Sequence, residues 1–278
     1  MSNKTIVLTG ASGFIGKHLQ EILEKEETLD VIPTSRSKKS DYFYVQDYSK
    51  IPQGDILIHL AGNNLISESA KQGDDEFLNN LREVKKMNFS RIILISSAVV
   101  YGDNFETPRK ESDPVFVNSE YSRIKLEAEK LILTNANNLV VRLSNVYGPG
   151  MSPSNVVSHI FSQLASDGPI EIENSHPKRD FVWVEDIADA IYKLALAPTY
   201  KNSNIYNLGT GVATSIGELA KKILLLSNQP EREVVSRMKV ERGSSMSLNI
   251  SNISSHFGWT PKVSLDDGLK ILLEATAF

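Results

Sequence analysis

Cysteine is absent from the 278 residues, which removes disulfides, thiolate metal sites and a cysteine nucleophile together. Any redox chemistry must then come from a bound cofactor. A large excess of either charge is lacking, since 30 Lys+Arg against 34 Asp+Glu leave the chain slightly negative, so no global field draws it to nucleic acid or to an anionic membrane. Basic residues that matter must act locally. No apolar run approaches the ~20 residues that a membrane span requires. The first strand pattern starts within a few residues of Met1, leaving no room for a signal peptide. A soluble, cytoplasmic protein is expected. The five histidines are scattered without metal-ligand spacing, so no metal is expected, and His59 and His176 receive no catalytic role. Internal repeats and low-complexity segments are missing too.

What the chain does have begins at Thr5-Ile-Val-Leu8, an apolar run that leads directly into Thr9-Gly10-Ala11-Ser12-Gly13-Phe14-Ile15-Gly16 and then into a helical stretch from Lys17. A strand, a glycine-rich turn and a helix in this order make a dinucleotide cradle, because a pyrophosphate needs unshielded backbone N–H groups at the positive end of a helix. Gly10 serves the tight turn, Gly13 the close approach of phosphate, and Gly16 the packing of helix on strand. Apolar, β-branched runs recur at 29–32, 55–60, 91–95 and 138–143, and stretches of helical periodicity at 74–88, 119–134, 184–197 and 215–226. Strands of this kind are buried on both faces, and their alternation with helices implies an α/β fold with a doubly wound parallel sheet. After Gly148-Pro149-Gly150 the regularity breaks, with Pro153, Gly168-Pro169 and Pro177 punctuating short elements. The division expected is a nucleotide-binding domain over 1–150 and 181–210, with a smaller substrate lobe from 151–180 and 211–278 laid over the carboxyl ends of the strands.

Tyr121-Ser-Arg-Ile-Lys125 lies near the start of an expected helix, where four-residue spacing puts the phenol and the amine on one face. A free phenol with a pKa near 10 is a poor proton donor at neutral pH, and an adjacent ammonium would lower it. Lys125 is therefore expected to tune Tyr121 as the acid/base. Ser96 and Ser97 end the run at 91–95, where a hydroxyl can hold a substrate carbonyl; Ser97 is the candidate, and Ser96 is as readily a cap of the strand end. About 20 residues past the glycines, an NAD-specific site offers a carboxylate to the ribose. Here the chain reads Thr34-Ser35-Arg36-Ser37-Lys38-Lys39, which suits a 2′-phosphate. NADP(H) is expected, with Ser35 and Arg36 as main contacts and Lys38 or Lys39 as outer charge; NAD(H) stays open.

Together these motifs resemble the extended short-chain dehydrogenase/reductases, the NAD(P)-dependent sugar epimerase/dehydratase group. Thr9 to Gly16, Ser96 to Gly102 and Tyr121 to Lys125 match in order. His59-Leu-Ala-Gly62, Arg142 to Pro149, Arg179 to Asp186, Tyr206 to Gly209, Phe257 to Pro261 and Ser264 to Gly268 extend the likeness over nearly the whole chain. The resemblance implies a Rossmann domain that binds cofactor through Gly10, Ser12, Gly13, Phe14, Ile15, Gly16, Leu60, Ala61 and Gly62. It further implies Asp47 at the adenine, Lys125 on the nicotinamide ribose, and Ser97, Tyr121 and Lys125 as the catalytic set. Asn145, Arg179, Asn207 and Arg242 are implied in sugar-nucleotide binding, Arg179 at the diphosphate. The substrate is expected to be a nucleotide sugar. Helices around 74–88 and 119–134 form a homodimer interface in many relatives, which leaves a homodimer open here.

Family dehydratases carry an Asp-Glu pair after the catalytic hydroxyl, and this chain has Ala98-Val99 there. With an NADP-like loop added, the expected reaction is reduction of a nucleotide-linked 4-keto-6-deoxyhexose by NADPH. A 4-epimerase that retains its cofactor is the rival, since Ser97 to Gly102 resembles that version of the segment. A non-catalytic NADP sensor is a third reading. Two departures stand out: the stretch 63–88 is short and lacks the Asn-x-x-Gly-Thr common in relatives, and Glu241-Arg242-Gly243-Ser244 replaces their Arg-x-Gly-Asp.

Overall fold

A computed structural model describes residues 3–62, 70–198, 204–238 and 243–275. In chain order the elements of the first half are β1 (Lys4–Thr9), α1 (Phe14–Leu23), β2 (Leu29–Ser35), β3 (Phe43–Tyr44), β4 (Ile56–His59), α2 (Ala70–Lys85), β5 (Arg91–Ser97), α3 (Glu120–Ile132) and β6 (Leu139–Leu143). The second half contributes β7 (Asn145–Tyr147), α4 (Val156–Phe161), β8 (Ile170–Ile172), β9 (Lys178–Trp183), α5 (Val184–Leu196), β10 (Ile205–Leu208), β11 (Ala213–Ser215), α6 (Ile216–Leu226), β12 (Val234–Ser236), β13 (Ser245–Met246), α7 (Ser251–Phe257) and α8 (Leu265–Ala275).

Seven parallel strands form the large sheet in the order β10-β6-β5-β4-β1-β2-β3. Because side chains alternate across a strand, each apolar run feeds two cores. Ile6, Leu8, Ile56, Ile58, Ile93 and Ile95 face α1 and α5, whereas Val7, Leu57, Ile92 and Leu94 face α2 and α3. This explains why the runs read as continuously hydrophobic, and the doubly wound α/β fold expected from them is the fold observed. Buried Arg91 ties the far end of α5 to the sheet, its Nη1 donating to the carbonyls of Leu194, Ala195 and Ala197 at 3.1, 3.2 and 2.5 Å. A cation there also complements the negative end of the helix.

From β1 the chain winds one way to β2 and β3 and the other way to β4, β5 and β6. The crevice beyond the carboxyl ends of β1 and β4 is thus a topological switch point, where such sheets bind ligands. The smaller elements gather at this edge. β7 pairs with β9, β11 and β13 flank β9, and β12 pairs with β8. They share a third core of Tyr147, Phe161, Ile172, Trp183, Leu219 and Leu269, among others. Gly268 is required where α8 crosses Tyr147, since a Cβ would stand 2.2 Å from the phenol oxygen. One part of the expected lobe sits elsewhere: α7 packs against β10, and Ile253 and Trp259 belong to the core between the large sheet and α5.

Two buried carboxylates fasten this second half. Asp180 accepts from Thr210 N and Oγ1, Gly211 N and Leu248 N, tying β9 to the segments after β10 and β13. Asp186, in the first turn of α5, accepts from Lys262 N and Val263 N, both at 3.0 Å. Among the described residues, no helix is long and apolar enough to cross a membrane.

Candidate active site

The turn after β1 is shaped by what cannot fit in it. Gly10 has φ +71°, and a Cβ there would stand 2.7 Å from Ala61 N; at Gly16 it would stand 2.2 Å from the Gly10 carbonyl oxygen. Gly13 N donates to Gly10 O at 2.9 Å and is the N-cap of α1, with no side chain capping the helix. The first-turn N–H groups of α1 therefore keep their donor capacity for an anion. A cleft of about 720 Å³ opens over this turn. Gly10, Ser12, Gly13, Phe14, Ile15 and Gly16 line its floor, Thr34 to Ser37 one end, and Leu60, Ala61 and Gly62 the wall beside β4. The glycine contacts and the size of the cleft fit a dinucleotide.

Ser97, Tyr121 and Lys125 line the same cleft, so the structure brings together the residues expected to act together. β5 delivers Ser97 at its last position, where the side chain caps the following 3-10 turn by accepting from Val99 N at 3.3 Å. α3 delivers the other two. Its start is fixed by a reciprocal capping pair, Ser119 with Ser122, which sets Tyr121 on the first turn and Lys125 one turn later. Lys125 Nζ donates to the Ile95 carbonyl at 3.2 Å and lies 5.6 Å from the centre of the Tyr121 ring.

The electrostatics depart from expectation. Burial pushes the Tyr121 phenol above its ordinary value, and a hydrogen bond with Ser97 offsets this in part. Lys125 is pushed down to about 8, chiefly by burial, with Glu129 opposing. The lowering of Tyr121 by Lys125 expected from their spacing does not emerge: burial dominates the phenol, and the Ser97 hydrogen bond is what opposes it. His59, on β4, is pushed down to about 3 by complete burial and then by the Lys125 charge. It is thus a neutral ring that exchanges a hydrogen bond with Thr9 at 2.8 Å and stacks on Phe77.

Ser35 and Arg36 line the end of the cleft beyond β2. The Ser35 hydroxyl accepts from Ser37 N at 3.1 Å and stands 3.5 Å from Ser12 Oγ. Among the described residues no carboxylate lines the cleft. Lys38 and Lys39 instead lie over the rings of Tyr44 and Tyr42. Asn145 lines the opposite wall with Ser144, Val146, Ser152, Ser154 and Asn155. Those five, with Val45 and Tyr48, carry no signal in the sequence, because they sit in loops, turns or strand ends too short for spacing to mark them. Outside the lining, His18 Nε2 lies 2.9 Å from the Pro149 carbonyl oxygen and ties α1 to the segment after β7.

Three expected contacts lie elsewhere. Asp47 is half exposed and outside the cleft lining. Its carboxylate caps the 3-10 turn Tyr48–Lys50, accepting from Ser49 N at 3.0 Å and Ser49 Oγ at 2.6 Å. Asn207 is wholly buried and fully used: Oδ1 accepts from Tyr101 at 2.8 Å and Nδ2 donates to the Arg109 carbonyl at 2.8 Å. It joins the sheet to a neighbouring loop and has no atom to offer a sugar. Arg179 is also outside the lining, with its guanidinium 3.5 Å from Asp103 and 2.9 Å from Ser244 Oγ. Arg242 lies outside the described residues. Tyr101, in the segment that ends at Gly102, is a buried strut between Arg142 and Asn207.

Comparison with known proteins places these features in a group. Residues 6–209 match the model of the NAD dependent epimerase/dehydratase family. The chain is 26% identical to dTDP-4-dehydro-6-deoxyglucose reductase of Escherichia coli, over 97% of this chain and 96% of that one. It is 28% identical to a putative UDP-glucose 4-epimerase of Methanocaldococcus jannaschii, over 95% and 96%. Two solved structures superpose over 98% of both chains: MoeE5 in complex with UDP-glucose and NAD (25% identity, TM-score 0.82), and RMD from Pseudomonas aeruginosa complexed with NADPH (26% identity, TM-score 0.81).

Proposed function

The chain belongs to the NAD dependent epimerase/dehydratase family, and from that premise we propose that it is an NADPH-dependent reductase of a nucleotide-activated 4-keto-6-deoxy sugar. The observation that carries this reading is that Ser35 and Arg36 line the same cleft as Ser97, Tyr121 and Lys125, with no carboxylate in the lining among the described residues. A guanidinium beside hydroxyls favours a 2′-phosphate through charge-assisted hydrogen bonds, whereas an NAD site favours a carboxylate on the ribose.

When bound, the nicotinamide cofactor supplies the hydride that the carbonyl carbon receives. The chain's own groups serve the oxygen. Ser97 Oγ donates a hydrogen bond to the carbonyl oxygen, and Tyr121 gives it a proton as negative charge develops there. The raised phenol pKa keeps that proton in place until it is needed. Lys125 holds the nicotinamide ribose and contributes positive charge near the phenol. Glycine N–H groups and the open start of α1 hold the pyrophosphate. Asn145 and the serine-rich wall are positioned for the sugar nucleotide. Ala98, wholly buried, and Val99 stand where elimination would need carboxylates, so water removal has no acid/base pair.

Both a reductase and an epimerase occur among the relatives, and the Ser97 to Gly102 segment favours the second reading, a 4-epimerase that keeps its cofactor. Stoichiometry separates the two. With a nucleotide-linked 4-keto sugar the reductase consumes one NADPH per product formed; an epimerase interconverts sugars with no net consumption. Titration of cofactor-free protein with NADPH and NADH checks the first step, and tighter binding of NADH would overturn the NADP assignment.

A further inference from the structure

Behind the cleft lies a buried ion pair that the chemistry above does not use. Arg142 on β6 and Glu129 on α3 form a fork, with Nε to Oε1 at 3.0 Å and Nη2 to Oε2 at 2.6 Å. Both side chains are 4% exposed. Glu129 Oε1 also accepts from Ser96 Oγ at 2.5 Å. Ser96 sits between Ile95, whose carbonyl receives the Lys125 ammonium, and Ser97. Glu129 is one helical turn beyond Lys125. A buried pair of this kind is weak evidence of stability, since desolvation opposes the attraction. Its third bond, to the strand end that carries the site, points to another role.

We propose that Glu129 is a positioning residue: oriented by Arg142, its carboxylate clamps Ser96, fixes the end of β5 that presents Ser97 and the Ile95 carbonyl, and keeps Lys125 in its ammonium form. This rests on the assignment of Ser97, Tyr121 and Lys125 made above. Among the described residues, the groups facing Lys125 are Glu129 and Tyr121 from α3, the neutral ring of His59 from β4, the Ile95 carbonyl from β5 and the Phe77 ring from α2 at 5.2 Å, while Arg142 from β6 is bound to the Glu129 carboxylate. Among the described residues, Glu129 is the one carboxylate in that set. Its attraction opposes the burial that lowers the amine.

The test follows the Lys125 titration directly, by the 13Cε resonance of labelled lysine assigned with Lys125→Arg, in wild type, Glu129→Gln and Ser96→Ala. This readout needs neither cofactor nor sugar, so it stays informative even if the proposed reaction is wrong. In Glu129→Gln the midpoint is expected to fall by about one pH unit or more, as loss of a close opposite charge requires; an unchanged midpoint overturns the proposal. Ser96→Ala keeps the ion pair intact, so it also serves if Glu129→Gln does not fold. It is expected to leave the midpoint in place while turnover of the wild-type reaction falls by about tenfold, the scale on which a displaced reacting group is felt. Unaltered turnover in Ser96→Ala, with only thermal stability changed, would reduce the clamp to a structural contact and overturn the proposal.

Discussion

At the scale of single residues, Tyr121 bears the heaviest demand. Tyr121→Phe should lower turnover by roughly 10²-fold or more, the usual worth of a positioned proton donor, while NADPH titration of the variant keeps an affinity close to wild type. Full turnover in this variant would revive the reading of a non-catalytic sensor. The pH dependence follows from the two shifts. Because the phenol lies above its ordinary value, its proton is secure through neutral pH. Lys125 loses its charge as pH rises through about 8, so a pH–rate profile should fall on the alkaline side from that region. Arg36→Ala should bring NADPH affinity down toward that for NADH, read in paired titrations; an undiminished preference for NADPH would remove Arg36 from the assignment. How far such residues are legible in sequence depends on whether their roles are local. Tyr121 and Lys125 share a helix face by spacing alone. Asn207 and Asp47 sit in equally suggestive strings, yet their partners, Tyr101 and Ser49, consume them. Spacing predicts the wrong sign for the Tyr121 shift, because it reports the charge nearby and not the water lost.

Among the elements, the strand, turn and helix opening the chain were legible because each residue type there has a steric reason. Gly16 shows the narrowest tolerance. Gly16→Ala would place a methyl against the Gly10 carbonyl, and the displaced cradle should weaken NADPH binding by about tenfold or more; a wild-type dissociation constant would contradict the close approach of α1 to the turn. The capping pair of α3 offers a separate check, with Ser119→Ala expected to cost about 1 kcal/mol in denaturant unfolding. Long helices such as α5 and α6 announced themselves by periodicity. β7, β11, β12 and β13 did not, since strands of two or three residues are too short for alternation to show. Their positions come from clasps like Asp180, which join backbone groups far apart in sequence.

Across the whole molecule, the two cores on the large sheet reach the cleft, one through Ile95 and Leu143 and the other through Val45 and Tyr48, so global stability and the site share buried groups. His59 makes this measurable. Its folded pKa of about 3 lies below the unfolded value of about 6.5. The unfolded chain therefore takes a proton that the folded chain refuses, and stability is lost as pH falls from about 6.5 toward 3. Melting temperatures across that range should drop less steeply in His59→Leu than in wild type. Parallel curves would deny the burial of that ring any part in acid unfolding. The doubly wound parallel sheet could be anticipated because strands and helices alternate and parallel crossovers follow handedness rules. The placement of α7 and Trp259 against the large sheet could not, since it depends on how the last segments fold back.

The central claim is that one cleft joins an NADP-selective cradle to the Ser97, Tyr121 and Lys125 set for net reduction. Its most direct measurement is the loss of NADPH absorbance with a panel of nucleotide-linked 4-keto-6-deoxy sugars, set against the sugar product formed. One NADPH oxidised per sugar reduced, at a rate roughly 10²-fold or more lower in Tyr121→Phe, is the predicted result. Sugar conversion without any net NADPH oxidation would contradict it.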